Sequence, residues 1–287
     1  MSEQAGDFGG KVEKPLFDGL IKFHVVRHDS HENGFLTPEG RENARRMADE
    51  AVREYLDTDP DTNFMIIASD QIPDEDKPEE GGMRAVETAE VVVDAIKQGL
   101  KDRNLPEKQL FASDGNPIMI SQATREAGIF ATGYAAKLKE LHPASDPKNG
   151  KHFWQFYYQE GEIDAKLRER LAAESSKDLA MRMDYAIKTA EMVGASFYKV
   201  PGNEQKPLVV WMVGHGGGLD SYVSHYADVP VEKVGFPSSG GFKIYVNDQG
   251  VVVAEVKGKQ YPIKQDDQME LAEHPVVKGI RQPKLGA

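Results

Sequence analysis

Short apolar runs alternate along the chain with stretches whose apolar positions recur at helical spacing. Residues 21–26 form a β-type run, read as a buried strand. A polar, Gly-containing loop leads from it to Leu36-Thr37-Pro38-Glu39-Gly40. Thr37 is a good N-cap and Pro38 a good first helical residue. The helix that follows places Ala44, Met47, Ala48, Ala51, Val52 and Tyr55 on one face. Residues 64–68 are a second apolar strand ending at Ser69. Arg84 then opens a helix with Ala85, Ala89, Val92 and Ile96 along its apolar stripe, and residues 118–120 read as a third strand.

The rhythm breaks over residues 123–175, where Phe153, Trp154, Phe156, Tyr157 and Tyr158 cluster among charged residues. This stretch is predicted to be a small helical cap insertion. A long helix follows, with Leu179, Met183, Ile187, Ala190 and Phe197 inward. Residues 208–213 are strongly apolar and run into Gly214-His215-Gly216-Gly217-Gly218, with a helix expected from about Leu219. Residues 242–246 and 251–256 read as a hairpin around Asp248-Gln249-Gly250. Alternating strands and helices predict a three-layer α/β/α sandwich with a mostly parallel central sheet. The expected organisation is a flexible leader over 1–20, an α/β domain over 21–256, and a polar tail over 257–287.

Composition narrows the function classes. The 287 residues carry 35 Lys and Arg against 47 Asp and Glu, a net charge of −12. That balance argues against nucleic acid or an anionic membrane surface as a partner. An enzyme of anionic substrates would have to concentrate its positive charge locally. With no cysteine, thiolate catalysis, disulfides and Cys-based zinc sites are excluded. The first residues lack a basic region followed by an apolar run, and no stretch approaches the ~20 apolar residues of a membrane helix. The expectation is a cytoplasmic protein; its oligomeric state is not readable.

In a sheet covered by helices, ligands collect beyond the carboxyl ends of the strands. Three strands here end in polar, reactive residues: at Arg27-His28, at Ser69 and at His215. An isolated strand-end His is ordinarily structural, and a Gly-rich turn alone is a weak signal. The Gly residues after His215 do permit close approach of a ligand, and a helix N-terminus there favours an anion.

Taken together, these residues resemble the histidine phosphatase, or phosphoglycerate-mutase-like, superfamily. Its Arg-His-Gly after an apolar strand corresponds to Val25-Val26-Arg27-His28-Asp29. Its Leu-Thr-x-x-Gly-x-x-x-Ala is matched by Leu36, Thr37, Gly40 and Ala44. Its second block is matched by Ser69, Asp70, Arg84, Ala85, Thr88 and Ala89. Arg125-Glu126-Ala127-Gly128 stands where a Glu block follows the third strand, and Val213-Gly214-His215-Gly216 matches the last block. Pro237-Ser238-Ser239-Gly240-Gly241 then precedes a strand in the family manner. The blocks occur in order over residues 21–256.

The resemblance implies a metal-independent phosphomonoester hydrolase that needs no cofactor. His28 would be the nucleophile and form a phosphohistidine. Arg27 and Arg84 would bind the phosphoryl oxygens through forked, charge-assisted hydrogen bonds. His215, if protonated, would add a donor. Glu126 would serve as the acid and base, and Asn33 and Gly216 would help bind phosphate. The substrate would be a small-molecule phosphate ester or a phosphoprotein. Two alternatives stay open: phosphoglycerate-mutase-type transfer, and a non-catalytic protein that binds a phosphate ligand. The Gly-Trp-x-Asp run and cap Arg-Arg pair of the mutase branch are missing, which favours hydrolysis.

Three departures stand out. Asp29 replaces the usual Gly. Gly34 stands where Asn is usual, with Asn33 one residue earlier. Ser69 and Arg84 are separated by an acidic loop, residues 70–80, holding six acids and one Lys.

Overall fold

The computed structural model describes residues 20–32, 34–69, 83–121, 133–142, 157, 162–230 and 233–264. Its centre is a seven-stranded sheet. In chain order the strands are β1 (Ile21–Arg27), β4 (Asn63–Ser69), β5 (Ile118–Ser121), β6 (Leu208–Gly214), β7 (Gly241–Val246), β8 (Val252–Val256) and β9 (Lys259–Pro262), and they lie in the order β5-β4-β6-β1-β7-β8-β9. The first four in that order are mutually parallel, and β7, β8 and β9 add an antiparallel edge. A separate two-stranded hairpin, β2 (His31–Glu32) with β3 (Phe35–Leu36), follows β1.

Two layers of helices cover the sheet. Helices α1 (Pro38–Thr58) and α2 (Arg84–Asp102) pack on one face, where Ala48, Val52, Ala89, Val92 and Ile96 meet Phe64, Ile66, Trp211 and Val213. Helices α5 (Ser176–Phe197) and α6 (Gly216–Tyr226) pack on the other, where Met183, Ile187 and Leu219 meet Phe23, Val25, Val210 and Met212. Because β4 and β6 are buried at every position, they read in sequence as unbroken apolar runs. Each fully buried Val, Ile, Leu or Phe contributes about 1.5–3 kcal/mol, so the central strands anchor the domain.

Local signals explain the boundaries. The Thr37 hydroxyl accepts from the Gly40 N–H at 3.0 Å, with Pro38 opening α1 as predicted. Ser175 and Asp178 form a reciprocal capping box at the start of α5. Two boundaries differ from the sequence reading. Helix α6 begins at Gly216 rather than near Leu219; Gly is a poor helix former, but His215 in extended geometry starts the turn and the buried Leu219 holds it. The sheet also continues past Val256, because Lys259–Pro262 pairs with β8 through backbone hydrogen bonds, with mostly exposed side chains.

Within the predicted cap, helices α3 (Tyr134–Leu141) and α4 (Glu162–Arg170) form. With Tyr157 they build a small core of Tyr134, Leu138, Leu167 and Ala173 that reaches Leu179 of α5. Phe153, Trp154, Phe156, Tyr158, Glu126, Asn33 and the acidic loop lie outside the described residues. Among the described residues no helix is long and apolar enough to cross a membrane.

Candidate active site

The parallel pairing of β1 with β6 aligns Arg27 with Gly214, so the residues that follow, His28 and His215, emerge side by side. The His28 N–H donates to the Gly214 carbonyl at 3.0 Å and extends the pairing by one step. The two imidazole centroids are 5.1 Å apart and both rings are buried. Ser69 closes the neighbouring strand β4, also buried. The three strand ends singled out from the sequence therefore meet at one edge of the sheet.

The His28 ring is held by its own backbone. Its Nδ1 lies 2.9 Å from the Asp29 carbonyl oxygen. A carbonyl can only accept, so Nδ1 carries the proton and Nε2 keeps its lone pair. Burial first, then the charges of His215, Arg84 and Arg27, hold His28 well below the usual imidazole range. Burial, followed by Arg84 and Arg27, lowers His215 to about 3. Both shifts favour the neutral form of the ring. The lowering favours a His215 that offers one N–H donor, with Arg27 and Arg84 as the nearby positive charges. Neither of its ring nitrogens has a hydrogen-bond partner among the described residues. A bound phosphoryl dianion would raise its pKa by opposing the arginine field.

Arg27 is directed by the segment that enters β7. Its Nη1 donates to the Phe236 carbonyl at 2.9 Å, and its backbone N–H donates to Gly240 at 2.8 Å. The guanidinium lies over Gly216, where an added Cβ would meet its atoms at 3.4 Å. The start of α6 thus sits beside Arg27 and His215, and its positive end adds to their attraction for an anion. Gly241 lets β7 approach β1: a Cβ there would stand 1.9 Å from the Val25 carbonyl oxygen.

Arg84 opens α2, and its N–H donates to the Gly34 carbonyl at 3.1 Å. Glu87, one turn on, accepts from the Leu36 N–H at 2.6 Å and from Arg41 of α1. Thr88 is fully buried, and its hydroxyl donates to the Arg84 carbonyl at 2.8 Å. These contacts tie Arg84 to the β2–β3 hairpin and give the Arg-Ala-x-x-Thr-Ala string a structural reason.

Arg27, His28, His215 and Gly216 thus meet at the strand ends, and the charge of Arg84 acts on both imidazoles. Sequence reasoning missed three contributors. His31 stands at the rim with its ring 5.0 Å from that of His28; burial and the two arginines lower its pKa. Its only sequence signal is a third histidine three residues after His28. Asp220 accepts from the backbone N–H groups of Gly235 and Phe236 at 3.0 and 3.2 Å and so fixes the carbonyl that directs Arg27. Ser239 donates to Asp29. Among the described residues no cluster of three or more His, Asp or Glu is placed to hold a metal ion.

The fold matches that of solved structures. Phosphoglycerate mutase from Bacillus anthracis superposes with a TM-score of 0.52 at 15% identity, over 85% of this chain and 95% of that one. A mycobacterial glucosyl-3-phosphoglycerate phosphatase aligns with a TM-score of 0.42 at 16% identity, over 79% of this chain and 90% of that one. The first likeness shows a shared phosphoglycerate-mutase-like fold. No protein-family model matches the chain, and no curated protein matches it.

Proposed function

We propose that the protein is a member of the histidine phosphatase superfamily that hydrolyses phosphate monoesters through a phosphohistidine on His28. The observation that carries this reading is the meeting of two buried imidazoles at the carboxyl ends of adjacent parallel strands, with the charges of Arg27 and Arg84 acting on both. The Nε2 lone pair of His28 attacks phosphorus, and the bond from phosphorus to the ester oxygen breaks. The oxygen leaves with the electron pair and takes a proton from an acid, a role assigned to Glu126. Nδ1–H stays on the Asp29 carbonyl, so the positive charge gained by the ring is met by an acceptor already in place. Arg27 and Arg84 neutralise the phosphoryl oxygens, and His215 donates its N–H to one of them. Water then attacks phosphorus, gives its proton to the Glu126 carboxylate, and the electron pair of the P–N bond returns to Nε2.

The substrate is a small phosphate ester or a phosphoprotein in the cytoplasm. Two arginines supply the charge a metal would otherwise bring, so a chelator should leave the rate unchanged. Hydrolysis is preferred to mutase transfer because the sequence lacks the mutase cap segments. The test is a panel of phosphorylated metabolites assayed with and without 2,3-bisphosphoglycerate. Phosphate release independent of the bisphosphate supports hydrolysis, whereas isomerisation that requires it supports the mutase reading. Phosphate binding without turnover of any ester would leave only the ligand-binding reading.

A further inference from the structure

Asp29 is 1% exposed, next to the proposed nucleophile, at a position where the superfamily pattern has Gly. A buried carboxylate is costly unless its oxygens are hydrogen-bonded. Here one oxygen accepts from the Ser30 N–H at 2.6 Å and from Asn43 Nδ2 at 3.5 Å. The other accepts from the Ser239 hydroxyl, more than two hundred residues along the chain. Ser239 has φ +56°, in the left-handed region that non-glycine residues seldom occupy. A strained conformation of this kind persists where surrounding contacts over-determine it.

The segment that Asp29 grips is the one that directs Arg27. Phe236 and Gly240 accept from the Arg27 side chain and backbone, and the Gly240 N–H closes a turn on the Pro237 carbonyl at 2.8 Å. Asp220 pins the front of this segment at Gly235 and Phe236. Ser239 is the pin at its other end. The Arg27 Nε has no hydrogen-bond partner among the described residues, so the Phe236 carbonyl sets the direction of the fork.

We propose that Asp29 and Ser239 form a positioning latch for Arg27, setting how tightly the site grips a phosphoryl group without touching it. The latch rests on reading Arg27 and His28 as a phosphoryl site. It gives Asp29 a role: its carboxylate faces the Ser239 segment, while its carbonyl serves His28.

The experiment compares wild type with Ser239→Gly, Asp29→Asn and the double variant. Glycine favours the backbone geometry of position 239, so Ser239→Gly removes the hydroxyl with the turn intact. Inorganic phosphate binding is measured by calorimetry, p-nitrophenyl phosphate turnover by steady-state kinetics, and folding by thermal melting. The latch predicts a roughly tenfold rise in phosphate Kd and in KM for each single variant, since a small misplacement of a clamp is felt strongly at the bound group. It predicts that kcat moves less than about threefold, and that the double variant is no weaker than the weaker single. A folded Ser239→Gly protein with wild-type phosphate affinity, or additive effects in the double variant, overturns the latch alone. A wild type that neither binds phosphate nor forms phosphohistidine overturns the phosphoryl-site reading and the latch with it.

Discussion

The Nδ1 of His28 lies 2.9 Å from the carbonyl oxygen of Asp29, the residue that follows it. One backbone acceptor therefore fixes the tautomer, the ring plane and the atom left to react. Replacing His28 with Ala removes the proposed carrier of the phosphoryl group. Turnover of an aryl phosphate should fall about 10⁴-fold or more, and acid-labile labelling of the protein should vanish. Labelling that survives in His28→Ala would reassign the nucleophile.

The two arginines should contribute differently from lysines. Arg84→Ala removes a whole guanidinium and should lower kcat/KM by about 10²–10³-fold. Arg27→Lys keeps the charge but loses the fork held by the Phe236 carbonyl, and should still cost about tenfold or more. Competitive inhibition by vanadate or phosphate would report both losses. An Arg27→Lys enzyme of wild-type affinity would mean that charge alone suffices.

The lowered pKa values set the expected pH profile. Burial, His215 and the arginines hold His28 below the usual imidazole range, and burial with the same arginines lowers His215. After correction for the second ionisation of the ester near pH 6, kcat/KM should show no limb near pH 6.5 that belongs to either imidazole. An acid limb centred at pH 6.5 would show that a nucleophilic imidazole titrates with its ordinary value.

Stability should follow a related rule at a different place. His24 stacks on Trp211 with centroids 4.2 Å apart, and burial followed by the charge of Lys243 lowers its pKa to about 3. The unfolded chain takes up its proton near pH 6.5 while the folded chain does not. Stability is therefore fullest above pH 6.5 and declines as the pH falls toward 3. His24→Phe should remove about 1–2 kcal/mol of the loss between pH 7 and pH 5 in urea unfolding. Parallel pH dependences of the two proteins would contradict this.

Gly241 should tolerate no side chain. Its missing Cβ leaves room for the Val25 carbonyl, and Gly241→Ala forces β7 away from β1. A loss of about 3 kcal/mol or more is expected in chemical unfolding, with weaker phosphate binding because Gly240 and Arg27 move together.

The legible parts of the fold are those whose signal is local. Residues 64–68 and 208–213 announced buried strands because both of their faces are covered. Thr37-Pro38 announced the start of α1 because capping chemistry involves neighbours three residues apart. The β9 strand could not be read, since backbone pairing with β8 rather than apolar side chains holds it. The start of α6 is masked in the sequence because three glycines oppose helix by propensity, and packing overrides them. At the site, His28, Arg27, Arg84 and His215 were legible as an ordered set. The partners of Asp29 and Arg27 are not, because Ser239 and Phe236 lie more than two hundred residues away and tertiary contacts, the β1–β7 pairing among them, bring them near.

The alignment of Arg27 with Gly214 carries a final consequence. Neighbouring strands in any sheet stand about 4.7–4.9 Å apart, and the two imidazoles that follow this pair are 5.1 Å apart. The spacing of the two strands thus makes these imidazoles neighbours, and the Asp29 carbonyl orients one of them. The distance between the paired histidines is a ruler that the backbone has already drawn.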